Sequence, residues 1–78
     1  MYYITERITL DPDLCNGKPT IRGKRMTVQT VLGLLSVGET KEEILYQYPF
    51  LEEEDIKACL DFAASMMNNE FSIQKIAS

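Results

Sequence analysis

Histidine and tryptophan are absent from this chain of 78 residues. Without an imidazole there is no histidine general base, no Ser-His-Asp or Cys-His nucleophile, and most zinc sites lose a ligand type. Cysteine is scarce. Cys15 and Cys59 are too few for a disulfide framework and too far apart for a C-x-x-C pair, so a reduced, cytoplasmic protein is expected. No apolar run approaches the roughly 18 residues of a membrane-crossing helix. The opening Met1-Tyr2-Tyr3-Ile4-Thr5-Glu6 lacks the basic-then-apolar pattern of a signal peptide, so none is expected. A glycine-rich phosphate loop is missing too. The acidic run Glu52-Glu53-Glu54-Asp55 splays around a helix axis instead of converging on a cation. Neither an enzyme nor a metal or cofactor protein is expected.

What remains has ordinary globular composition, with 45% hydrophobic and 26% charged residues. A chain this short buries only roughly 60% of its unfolded surface, so help from a second copy or another partner is expected. The net charge of −4 is unevenly spread. Residues 1–26 hold five basic and three acidic side chains, whereas residues 27–78 hold three basic and nine acidic ones. Only the first part is suited to meet an anion.

Residues 2–10 alternate as one β-strand, broken in pattern only by Glu6 and ended by Asp11-Pro12-Asp13. Asn16-Gly17 signals a turn within a loop. Pro19-Thr20-Ile21-Arg22 and Arg25-Met26-Thr27-Val28 flank Gly23-Lys24, which suits a type II′ hairpin with Arg22 and Arg25 side by side at its tip. From Thr27, an N-cap, the period becomes helical through Val28, Val31, Leu32 and Leu35, and Gly38 ends the helix. Gly33 weakens that helix and is expected to admit a close neighbour. Thr40-Lys41-Glu42-Glu43 is a capping box for a short second helix with Ile44, Leu45 and Tyr48 inward, stopped by Pro49. The four acids then open a third helix, where they complement the helix dipole as a solvated N-terminus. Its apolar stripe is Ile56, Cys59, Leu60, Ala63 and Met67, and it is expected to end near Asn68-Asn69. The tail, with Phe71, Ile73 and Ile76, either packs on its own helices or folds against a partner. The expected fold is α+β and mostly α, one domain over 1–78. A β-rich arm and hairpin (1–27) precede a trihelical, homeodomain-like helix-turn-helix body (28–68) and the tail (69–78).

The run Asp11-Pro12 … Gly17-Lys18-Pro19-Thr20-Ile21-Arg22-Gly23-Lys24-Arg25, then Val28 and Leu32, Gly38-Glu39-Thr40, Tyr48-Pro49 and Asp55-Ile56, resembles bacterial domain-of-unknown-function family 433. The resemblance covers about residues 8–64, and its G-x-P-x-I-R-G-x-R stretch is more specific than a generic helix-turn-helix pattern. It implies a helix-turn-helix fold and an antitoxin-like role beside a small PIN-like nuclease. Typical members have Ile-Pro where this chain has Met26-Thr27, and often Gly-Gly where it has Asn16-Gly17.

Two readings are open for Lys18, Arg22, Lys24 and Arg25. They contact an anion, either operator DNA or an acidic partner surface, or Arg22 or Arg25 ties the hairpin to Asp55 or Glu43. Base readout by the third helix is disfavoured by its four acids. Tyr2, Tyr3 and Ile4 are the expected homodimer interface, through an open strand edge. The leading functional expectation is an antitoxin-type regulator that binds a PIN-like ribonuclease and contacts operator DNA. The alternative is an adaptor with a degenerate helix-turn-helix and no DNA binding.

Overall fold

The structure, a computed structural model, describes residues 1–77, with side chains through residue 68. Whether Phe71, Ile73 and Ile76 pack inward lies outside the described side chains. The order is β1 (Tyr2–Tyr3), β2 (Ile8–Leu10), β3 (Thr20–Ile21), α1 (Val28–Ser36), α2 (Lys41–Gln47) and α3 (Glu53–Ala77). The fold is mixed α+β and mostly helical. A small antiparallel sheet in the order β1-β2-β3 packs beside three helices.

The single strand expected over residues 2–10 is instead two strands folded back on each other, Tyr2 opposite Leu10 and Tyr3 opposite Thr9. The break falls where Glu6 violates the alternation. Ile4 and Thr5 amides both donate to the Ile8 carbonyl, at 2.8 and 3.2 Å. The Thr5 hydroxyl accepts from the Ile8 amide at 3.1 Å, closing a side-chain turn that competes with the extended ladder.

The hairpin turn is also displaced by one residue. The Lys24 amide donates to the Ile21 carbonyl, so Arg22 and Gly23 are the central pair, both with positive φ (49° and 69°). This is the pattern of a type I′ turn, not type II′ around Gly23-Lys24. Arg22 therefore occupies a left-handed conformation that is unfavourable for a long side chain. At Asn16, φ is likewise positive, which asparagine tolerates. The Asn16-for-Gly exchange is accordingly a mild one.

The helix boundaries follow local rules. Thr27 Oγ1 accepts from the Thr30 amide at 3.0 Å. Gly38 (φ 98°) donates to the Leu35 carbonyl and Glu39 to that of Leu34, which is a Schellman ending. The Thr40–Glu43 capping box is reciprocal, with bonds of 2.8 and 3.1 Å. Ile8, Ile21, Val31, Ile44 and Cys59 are fully buried at the junction of sheet and helices. Thr9 and Thr20, paired across β2 and β3, are equally buried, with their hydroxyls 3.0 Å apart.

Three further expectations are corrected. α3 does not end at Asn68-Asn69 but continues to Ala77, asparagine being only a moderately poor helix former. Its inward face is Asp55, Ile56 and Cys59, with Ala58 and Phe62 half-buried, while Leu60 and Met67 are exposed. Gly33 admits no helix neighbour: nothing lies within 4 Å of where its Cβ would stand. Gly33→Ala is therefore expected to stabilise the fold by about 1 kcal/mol through helix propensity alone. Urea melts of the two proteins measure this, and a loss of stability would mean that α1 is not free on that side.

Candidate functional site

The arginines of the sequence motif divide into two groups. The first is a buried ionic node. Asp55 sits three residues past Glu52, where α3 begins, and is fully buried. Its Oδ2 accepts from the Glu52 amide at 2.9 Å, satisfying one orphan donor of the helix start. Arg22 donates through Nε to Oδ1 (3.0 Å) and through Nη2 to Oδ2 (2.7 Å). Arg22 Nη2 also reaches the Phe50 carbonyl at 2.8 Å. Arg7 Nη1 donates to Asp55 Oδ1 at 2.9 Å and to Glu52 Oε1 at 2.6 Å. One carboxylate thus joins the approach to β2, the type I′ turn, the α2–α3 connection and α3.

Burial pushes the Asp55 carboxyl upward. The fork from Arg22, the Glu52 amide and the bond from Arg7 outweigh it, so its pKa lies below the ordinary value. The bond to Asp55 raises Arg22, while Arg7 is raised first by Glu52 and then by Asp55. The expectation of a wholly solvated acidic N-terminus therefore fails at Asp55 and holds for Glu52, Glu53 and Glu54, which are exposed. Glu43 serves as a capping residue of α2 and is not the partner of either hairpin arginine. Arg7 entered the sequence reading only as part of the positive end. No local pattern marks it, because its partners lie 45 and 48 residues away.

The second group is exposed. Lys18, Lys24 and Arg25 all face solvent and form no ion pair among the described residues. Lys24 and Arg25 directly follow the turn that Arg22 anchors. Arg22 and Arg25 are not two like side chains at a hairpin tip, since one is held inward and the other is free. Lys18 stands between two hollows. One, of about 480 Å³, is polar and includes Cys15, Thr27 and Thr30. The other, of about 400 Å³, lies between α1 and α3 and is lined by Pro19, Val28, Leu32, Phe62 and Met66.

Tyr2, Tyr3 and Ile4 are all exposed. The two tyrosines form the edge strand of the sheet, paired to β2 on one side only. Cys59 is buried, and burial with the nearby Asp55 charge pushes its thiol up to about 12, which leaves it unreactive as a nucleophile. Among the described residues no three metal-ligating side chains converge, and no helix is long and apolar enough to cross a membrane.

Comparison with known proteins places these residues in a family context. Residues 8–63 match the family described as "Protein of unknown function (DUF433)". That span contains Arg22, Glu52 and Asp55 of the ionic node and the three exposed cations, while Arg7 lies one residue before it. The uncharacterized protein y4eO of Sinorhizobium fredii (strain NBRC 101917 / NGR234) is 33% identical over 58 residues. The match takes in 74% of this chain and 26% of y4eO, so the chain spans about a quarter of that relative's length. The crystal structure of a DUF433 member protein from Anabaena variabilis ATCC 29413 superposes with a TM-score of 0.73 at 29% identity. It covers 96% of this chain and 72% of the Anabaena chain.

Proposed function

The chain belongs to the DUF433 family, and from that premise we propose that it is an antitoxin-type regulator that binds a small PIN-like ribonuclease by protein–protein contact. The observation that carries this reading is the division of the motif cations. The Asp55 node fixes the turn, and the turn presents Lys24 and Arg25 to solvent with no ion pair among the described residues. A nuclease centre built on acidic side chains is blocked by a cation held in place. An arginine on an ordered turn loses little backbone freedom on docking, and its fork suits carboxylates. Arg25, not Arg22, is the group assigned to that role.

Operator DNA is the secondary partner in this reading, and its contact is weak. Glu53 and Glu54 are exposed at the start of α3 and repel phosphate there. Among the described side chains, the cations outside ion pairs are Lys18, Lys24 and Arg25. The alternative, an adaptor that does not bind DNA, is favoured by the same acids.

The test has two arms. The chain is co-purified from its native cells at moderate salt, and co-purifying proteins are identified by mass spectrometry. A near-stoichiometric small nuclease that is inhibited by the chain supports the reading. Release of that nuclease by Lys24→Glu with Arg25→Glu supports the assigned surface. Recovery of the chain alone rejects the antitoxin role under those conditions. DNA affinity is then followed against salt. Three phosphate contacts per chain set a logarithmic slope of about −2.7, or roughly a 40-fold loss between 50 and 200 mM salt. No measurable binding leaves the adaptor.

A further inference from the structure

Three hollows along α3 differ in charge. The one against α2 is lined by Lys41, Glu53, Glu54 and Lys57, and Lys41 is already paired to Glu53 at 2.8 Å. The one beside the turn between β1 and β2 holds Glu6, Arg7, Glu54, Lys57 and Asp61, with Lys57 on Asp61 at 2.7 Å. Both carry both signs, and much of that charge is answered within the chain. The hollow between α1 and α3 is different. Val28 and Leu32 form one wall, Phe62, Ala63 and Met66 the other, and among the described residues Lys18 is the only charged group that lines it. Lys18 is exposed and in no ion pair among the described residues. It also borders the polar hollow at Thr27 and Thr30, where α1 begins. α1 has no acidic residue in its first turn, whereas α2 has Glu42 and Glu43 and α3 has Glu53, Glu54 and Asp55. The positive end of the α1 dipole therefore adds to the Lys18 charge. The groove is apolar along its walls and positive at one end.

We propose that this groove takes an amphipathic helix of another protein, its apolar side chains laid over Val28, Leu32, Phe62 and Met66 and an aspartate or glutamate at the Lys18 end. Charge complementarity selects the acidic end, because Lys18 and the start of α1 offer a positive field that no described side chain of this protein answers. The walls select a helix. Backbone N–H and C=O groups in the middle of α1 and α3 are bonded within each helix, so an extended peptide would find no ladder partners there. A helix satisfies its own backbone and presents side chains at i, i+3, i+4 and i+7 along one stripe. Met66 and Met67, 44% and 66% exposed, stand at the groove, and methionine adapts its shape to what it meets. The proposal does not rest on the antitoxin reading, which places its contact at Lys24 and Arg25, and no nuclease is needed to test it.

A phage-displayed library of peptides about four helical turns long is panned against the purified full chain. Enriched sequences are expected to carry apolar residues at helical spacing and an acidic residue at one end. A synthetic peptide of that consensus is then titrated by fluorescence anisotropy. Lys18→Glu replaces an attraction by a repulsion and is expected to weaken binding about 10-fold. A peptide with lysine in place of the acid should regain affinity for that variant. Met66→Gln with Met67→Gln is expected to weaken binding about 10-fold through lost apolar contact. All three positions are exposed, so circular dichroism of the variants should show the fold kept. With methyl-labelled methionine, the Met66 and Met67 resonances should shift on binding, whereas that of Met1, which lies beside Gly23 at the turn, should not. No enriched sequence, a basic consensus, or binding that both sets of substitutions leave unchanged overturns the proposal. So does a chain that self-associates with shifts in the Met66 and Met67 methyls before any peptide is added, since a second copy is then the occupant.

Discussion

Asp55→Ala is expected to lower the stability of the chain by about 3 kcal/mol, which for a domain of this size moves the melting temperature down by roughly 15 °C. The loss comes less from the missing attraction than from what is left behind. Arg22 and Arg7 would face each other with no carboxylate between them, and the Glu52 amide would lose its acceptor. About a quarter of each arginine side chain remains accessible to water, which keeps the effect at the lower end for a broken buried pair. Thermal melts monitored by circular dichroism measure it. A shift of only a few degrees would show that the node is dispensable to the fold.

Substitutions at Arg22 separate two contributions. Arg22→Ala and Arg22→Gly both remove the fork to Asp55. Only glycine accepts the positive φ without strain, so Arg22→Gly is expected to be the milder by about 1 kcal/mol. The pH dependence has a definite sign. The Asp55 carboxyl titrates below its unfolded value, near 3.9, so its contribution is complete above that pH. It is lost as the pH falls through the lower, folded value. The gap between the wild type and Asp55→Asn should be constant at neutral pH and close under acid conditions, below about pH 4. A gap that instead closes on the alkaline side contradicts the assignment.

The second large effect is expected at Ile44. α2 is only seven residues long, well below what stands alone in water. It is held at one end by the Thr40–Glu43 box, along its side by Lys41 to Glu53 at 2.8 Å, and inward by the fully buried Ile44. Ile44→Ala is expected to cost about 3 kcal/mol by opening a cavity under α2. Thr40→Ala removes one cap, at about 1 kcal/mol. Hydrogen exchange distinguishes local from global loss. The amides of α2 should lose protection in Ile44→Ala well before those of β2 and β3. Equal losses everywhere would mean that α2 unfolds only with the whole chain.

Both effects bear on function through geometry. The Asp55 node holds the turn from which Lys24 and Arg25 project. A variant that loosens the node should weaken partner binding even though neither exposed cation has changed.

The amino-acid sequence by itself determined the boundaries of α1 and α2, but not the end of α3. Thr27, Gly38, Thr40, Glu43 and Pro49 act on amides and carbonyls no more than a few residues away, so their effect can be read without knowing the fold. It also determined the α+β character and the family, through the period change at Thr27 and the motif between Gly17 and Arg25. It named Asp55 as one possible partner of Arg22, yet could not choose between that pair and a free anion-binding arginine. Only the tertiary structure decided that. Arg7, Arg22 and Asp55 are up to 48 residues apart and meet only once sheet and helices have packed. The same packing brought Asp55 to the inward face of α3 and held Arg22 in a left-handed turn conformation, so there a distant partner outweighed a weak local preference. The split of residues 2–10 is local, made by Thr5 and Ile8, and the alternation of the segment hid it. A buried carboxylate must find its cations, whereas a glycine serves either central position of a two-residue turn, first in type II′ and second in type I′.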